Sequence, residues 1–316
     1  MSTRSNEHHH VRWSVVAFTL HLLMQLAGLV ACVSEDTAGK GNVVFEAGGG
    51  KALQEGFPYN EGGAEFAFVD GWSLQFTKYV VVIGDVEMSD PASGSVRGAF
   101  AGPVALDLKQ DQGDTQELAT LTDLPATRQD VAFSFLRATP SVENRNVEIA
   151  DLELMIQEGW SYLVEGVASK DGTEVEFFFG LGLPTRYYQC VNGKDQTQGV
   201  AVQANKTIGV YIYAHAVHLF WDTLASGDED LRFDAFAAVA GEDGRVTNDE
   251  LALQDLTDLR DANGNPLRDQ DGHRVFYNDG GMLPPDSLTL ETFINYAARA
   301  GVHFNGVGLC FTERLD

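Results

Sequence analysis

Trp72-Ser73-Leu74-Gln75-Phe76-Thr77-Lys78-Tyr79, followed at once by Val80-Val81-Val82-Ile83-Gly84-Asp85, decides the fold class of this 316-residue chain. Through Tyr79 large apolar and polar residues alternate with a period of two, the pattern of a strand with one buried face. From Tyr79 to Ile83 the run is wholly apolar, which suits a strand covered on both faces, and Gly84-Asp85 marks its expected end. Further strands are expected at 131–136, 147–155, 162–168, 174–179 and 207–214. Asp171-Gly172 between two of them supplies the positive φ that a type I′ hairpin turn demands. Many short strands separated by turn residues favour a sandwich or barrel over a parallel sheet. No strand–helix alternation with a glycine fingerprint argues for a dinucleotide fold.

Past residue 215 the period changes. Residues 230–239 are apolar-rich and helical in pattern, and 247–256 opens with the capping-box spacing Thr247-x-x-Glu250. Residues 289–300 place Leu290, Phe293, Ile294, Ala297 and Ala298 on one face and meet Gly301 as a stop. Asn263-Gly264 and Asp271-Gly272 mark turns, and a last strand is expected at 307–312. The reading is a mainly β, sandwich-like single domain over 42–316, with a helical insertion at about 217–300.

The chain carries 46 Asp and Glu against 21 Lys and Arg, a net charge of −25. Clustered cations are needed to neutralise phosphates, so this balance excludes a nucleic-acid binder and electrostatic docking on anionic lipid. A hydrophobic share of 44% and an aromatic share of 10% supply a core and exclude wholesale disorder.

The N-terminus reads as a secretory signal over residues 1–31. Arg4 and Arg12 precede an apolar run from Trp13 to Ala31, too marginal for a spanning helix. Its ending, Leu29-Val30-Ala31-Cys32, resembles the lipobox of bacterial lipoproteins, in which the cysteine is lipidated and becomes the new N-terminus. Val33 stands where an Asp would favour inner-membrane retention, so the resemblance implies the outer membrane. Residues 32–41 then read as a polar tether, and the membrane is the expected partner, through lipid. With Cys32 so used, Cys190 and Cys310 remain as an even pair in an oxidising compartment, which reads as one disulfide.

Two stretches carry candidate chemistry. Eight histidines occur in the chain, but past the signal only His215, His218, His273 and His303 remain. His215-Ala216-Val217-His218-Leu219-Phe220-Trp221-Asp222 sets two of them three apart beside a tryptophan, and imidazole is a common ligand for zinc or copper. On a continuing strand the two rings face opposite ways; they converge only if the strand ends near His215. His303 is a possible third ligand. The second stretch, 241–251, resembles a worn EF-hand: with Gly244 at the sixth loop position, Asp243, Thr247 and Glu250 fall at five, nine and twelve. Positions one and three fall on Val239 and Gly241, which lack oxygen side chains, so calcium would need others such as Asp228 or Asp230. A plain capped turn explains Thr247 and Glu250 without an ion. No nucleophile elbow, zinc-protease helix or phosphate loop occurs.

The stretches 70–86 and 215–222 are similar to runs in uncharacterised β-rich bacterial lipoproteins whose later section carries an EF-hand-like turn. A more distant likeness is to the MbnP-like family of periplasmic copper-binding proteins, in which histidines and an oxidatively modified tryptophan hold copper. The matching residues would be His215, His218 and Trp221. The expectation is a lipid-anchored envelope protein with a binding or structural role and no evident catalysis. The alternatives are a copper or other transition-metal binder using His215 and His218, and a surface hydrolase with a carboxylate site that no motif reveals.

Overall fold

The computed structural model describes residues 39–315 except 111–114, 226 and 228. The expected signal, Cys32, most of the tether, and Asp228 lie outside the described residues. In chain order the strands that build and frame the site are β1 (Lys40–Gly48), β2 (Ser73–Ser89), β3 (Gln116–Pro125), β4 (Arg128–Phe135), β5 (Tyr162–Lys170), β6 (Thr173–Leu181), β7 (Thr185–Val191), β8 (Thr207–Ala214), β9 (Arg245–Val246), β10 (Val302–Phe304) and β11 (Leu309–Arg314). The helices are α1 (Lys51–Glu55), α2 (Ile149–Glu158), α3 (Asp234–Ala237), α4 (Asn248–Leu251) and α5 (Leu290–Ala300).

The protein is mainly β. A four-stranded sheet runs β10-β8-β1-β3, and the main path of a larger, curled sheet runs β9-β6-β5-β2-β4-β7-β11. The curl centres on β2, 17 residues long, whose first half pairs with β5 and second half with β4. The strand does not end at Gly84-Asp85. The register shifts between Gly84 and Glu87, with Asp85 at φ 48°, so a bulge bends the strand and lets it continue to Ser89. The Asp171-Gly172 hairpin forms with both residues at positive φ.

Both sheets contribute to one core. Val43 and Phe45 of β1 and Val210 and Ile212 of β8 join Phe76, Tyr79 and Val81 of β2 and Phe177 and Phe179 of β6. On the other face of β2, Val80 and Val82 pack with Leu152 and Met155 of α2, so the aliphatic run is covered on both sides. That cover comes from the segment 147–155, which the sequence pattern assigned to a strand and which is helical from Ile149 onward. Its buried residues Asp151, Leu152 and Met155 recur at helical spacing, and Gly159 ends the helix at φ 69°. Lys78 of β2 pins it, with its ammonium 2.8 Å from Asp151 and 3.2 Å from Glu148.

In the C-terminal third, α5 forms where expected, with Thr289 accepting from the Thr292 N–H and Gly301 closing it. Residues 230–256, expected as longer helices, make only α3 and α4, of four residues each, with β9 between them pairing with β6. Asp70 holds α3 to the sheet: buried, it accepts from the N–H groups of Phe233 (2.7 Å) and Asp234 (2.8 Å). Then come turns of eight-residue spacing, in which Leu259, Leu267 and Val275 are buried and successively bonded, N–H to carbonyl, at 2.9 and 3.0 Å. Asp261 and Asp269 each close a turn on the backbone N–H groups two and four residues on. The Cys190–Cys310 disulfide joins the end of β7 to β11, as expected.

Candidate metal centre

β8 points Tyr211, Tyr213 and His215 to one face, as alternate strand residues must, with ring centroids 6.4 and 5.3 Å apart in turn. The ladder stops at Ala214. His215 stays extended at φ −66°, ψ 110°, and Ala216–Phe220 wind into a 3-10 turn. The turn is anchored from below. Phe220 is fully buried among Phe68 (5.5 Å), Phe236 (5.4 Å), Phe233 (6.0 Å) and Phe177 (6.1 Å). From above, the His215 N–H donates to the Gly301 carbonyl at 2.9 Å.

A 3-10 turn brings residues three apart to the same side. His215 and His218 therefore meet, at 6.2 Å between ring centroids, and Trp221 closes on His218 at 3.7 Å. The third ring arrives from 85 residues further along. Helix α5 ends at Gly301, where an added Cβ would stand 3.0 Å from the His218 Cβ, so glycine eases this close approach. β10 then pairs with β8, setting His303 opposite Tyr213. His303 lies 4.9 Å from His215 and 5.2 Å from His218. The sequence condition for convergence, a strand ending at His215, is met. His273 is elsewhere, exposed beside Asp269.

Electrostatics keep these rings neutral. Burial and two neighbouring imidazoles push His218 down to about 2, and burial with His215 beside it pushes His303 down to about 4. His215 is also lowered, chiefly by burial. Neutral imidazole is the ligating form. His215 Nε2 lies 3.0 Å from the Gly306 carbonyl, which only accepts, so Nε2 carries the proton and Nδ1 holds the lone pair. His303 Nδ1 is buried without a hydrogen-bond partner, a cost of about 1–3 kcal/mol for a polar atom left so. Gly50, at φ 76°, leaves the room at His215 Nδ1: a Cβ there would stand 2.7 Å away.

These residues fit a transition metal in number and chemistry. With about 2.0 Å between metal and nitrogen, three imidazoles on one ion have centroids roughly 5 Å apart. Among the described residues no three His, Cys, Asp or Glu side chains are gathered tightly enough to hold an ion as they stand. Capture therefore requires the rings to turn inward. Sequence reasoning placed His215, His218 and Trp221 together but had no signal for Gly50, Gly301 or the Gly306 carbonyl.

The EF-hand-like residues do local work. Asp243 accepts from the Arg245 N–H at 3.1 Å, the Thr247 N–H donates to Glu250 at 2.9 Å, and the capping box is complete. Asp230 pairs with Arg232 at 2.8 Å. A cleft between α2 and α5 carries Trp160, Tyr296, Glu158 and Glu291. Glu158 is exposed and Glu291 half-buried, so neither has the buried setting that tunes a catalytic acid. Comparison with family models, with curated proteins and with solved structures returned no match.

Proposed function

We propose that the chain is a lipid-anchored protein of the bacterial cell envelope that binds one copper-like transition-metal ion through His215, His218 and His303, with the Trp221 ring packed at a tilt against His218. The observation that carries this reading is the convergence of three neutral imidazoles, His218 buried and His215 and His303 half-buried, from two distant segments, one of them with an orphaned ring nitrogen. The domain that carries them is read as sandwich-like, its two packed sheets gripping the turn from below.

Copper-like ions supply a redox-capable, imidazole-seeking cation. Everything else falls to the chain. Burial holds the rings free of protons, the Gly306 carbonyl presents His215 through Nδ1, and Phe220 and Leu219 exclude water beneath the site.

Protein purified without chelator and titrated with Cu²⁺ should take up close to one equivalent. His303→Ala and His218→Ala should each lower affinity by a factor of 100 or more with the fold intact by circular dichroism. Protein that takes up no metal refutes the reading. For the anchor, Cys32→Ala should abolish labelling by a fatty-acid analogue and release the protein from membranes; continued labelling refutes the lipobox.

A further inference from the structure

The face of β6 turned toward α2 loses its side chains near the strand's end. Phe178 on that face packs with Leu152 and Met155 of α2. Alternate strand residues share a face, so Gly180 points the same way and carries nothing. Trp160, just beyond α2, takes the vacant space. A Cβ on Gly180 would stand 1.7 Å from Trp160 Cδ2 and 2.1 Å from both Cε2 and Cε3. That pattern puts Gly180 under the face of the indole, not at its edge, so the ring lies flat on bare backbone. The seat is fixed on both sides. Asn248, the first residue of α4, accepts from the Gly180 N–H and donates to the Gly180 carbonyl, each at 2.8 Å. The Trp160 N–H donates to the Met155 carbonyl at 2.9 Å, and the Trp160 carbonyl accepts from the Ala138 N–H at 2.8 Å.

Trp160 is half-buried, and with one face on Gly180 it offers the other to a cleft of about 390 Å³ that Tyr296 of α5 also lines. Small-molecule sites span roughly 300–1,000 Å³. The walls are tied together through Gly182, whose carbonyl accepts from Arg137 at 3.2 Å and whose N–H donates to Asn295 of α5 at 2.9 Å. The charged residues lining the cleft are Glu158, Glu291, Arg137 and Arg314, two of each sign in a chain of net charge −25. This local balance selects the class of ligand. A phosphate or other anion would meet two carboxylates, and an organic cation would meet two guanidiniums. A neutral ligand with many hydroxyls finds acceptors and donors with no charge left over. The carbon-bound hydrogens on one face of a sugar ring suit the electron-rich face of the indole.

We propose that this cleft binds a saccharide, with Trp160 as the stacking platform, Glu158 and Glu291 accepting hydrogen bonds from sugar hydroxyls, and Arg137 donating to them. The site shares no residue with the histidine cluster and does not depend on the metal reading. Gly180 acts by position: any side chain there lifts the indole off its seat. Neither carboxylate is buried as a catalytic acid would be, so the assignment is to binding and not to cleavage. Because the platform, its seat and the Arg137–Gly182–Asn295 tie are already in place, a ligand meets a preformed site and little ordering is left to oppose binding.

The test titrates the full folded chain with cellobiose, maltose and chitobiose, and with free phenylalanine as a zwitterion that could also stack on an indole. The readout is the Trp160 indole ¹⁵N–¹H signal, assigned by its loss in Trp160→Phe. At least one disaccharide should move that signal saturably at millimolar concentration, and phenylalanine should not. Trp160→Ala should weaken binding of that disaccharide roughly tenfold or more, while Trp160→Phe keeps most of it. Gly180→Ala, which unseats the indole but leaves it in the chain, should weaken binding as Trp160→Ala does. Glu291→Gln tests the same cleft without touching the platform and should also weaken binding, with an unchanged circular dichroism spectrum. No shift with any of the three disaccharides overturns the proposal. So does binding that Trp160→Ala or Glu291→Gln leaves unchanged, and so does a response to phenylalanine without one to the sugars.

Discussion

His218 and His303 are groups whose protonation the fold opposes, and that has a consequence for stability. Their folded pKa values, about 2 and about 4, lie below the ordinary histidine value near 6.5. Above that value both states are neutral and nothing is lost. As pH falls below it, the unfolded chain takes protons that the folded chain refuses, so stability declines through the window down to about 4 for His303 and further for His218. Each ring contributes up to about 1.4 kcal/mol per pH unit. Denaturant unfolding of metal-free protein at pH 7, 6 and 5 should show this decline, and His303→Asn should flatten it; equal slopes for both proteins would contradict it. Gly50 gives a second residue-scale test. Its backbone at φ 76°, ψ 177° suits glycine alone. An alanine there also meets His215 Nδ1. Gly50→Ala should cost about 1–3 kcal/mol by thermal unfolding and weaken metal uptake as well.

Among the elements, legibility followed how local the cause was. Tyr79 to Ile83 could be read as a doubly covered strand because burial on both faces leaves no polar position in the run. α5 was plain because Leu290, Phe293, Ile294, Ala297 and Ala298 keep helical spacing between a Thr289 cap and Gly301. The segment 147–155 misled because its apolar residues also fit a strand; what makes it a helix is the face it finds on Val80 and Val82. Helix α2 then depends on Lys78, whose ammonium also lies 3.4 Å from Glu165. Those carboxylates raise Lys78 well above its ordinary range against the opposing effect of burial. Lys78→Met should destabilise the protein by about 1–3 kcal/mol by stranding the buried Asp151. Amide exchange should rise first in α2; uniform loss of protection would contradict this assignment. The eight-residue turns around Leu259, Leu267 and Val275 were hidden because each buries one apolar residue per turn, too sparse a signal for either period.

For the whole molecule, the three histidines are a property of topology. His215 and His218 stand in sequence beside Trp221, so their chemistry was visible, but nothing in the chain links them to His303. The link is the pairing of β10 with β8 after α5 has crossed the 3-10 turn. The acid excess, by contrast, is spread along the surface; at the rings burial is the largest influence, with Glu61 opposing it at His215. On the reading proposed above, a lipid anchor, the disulfide and the histidine site together make an envelope protein whose cargo is a cation. The most direct measurement is X-ray absorption on the Cu²⁺-loaded full chain. Three imidazole nitrogens at about 2.0 Å, falling to two in His303→Ala, are the predicted result. A spectrum with no more than one imidazole, or one that His303→Ala leaves unchanged, would contradict the account.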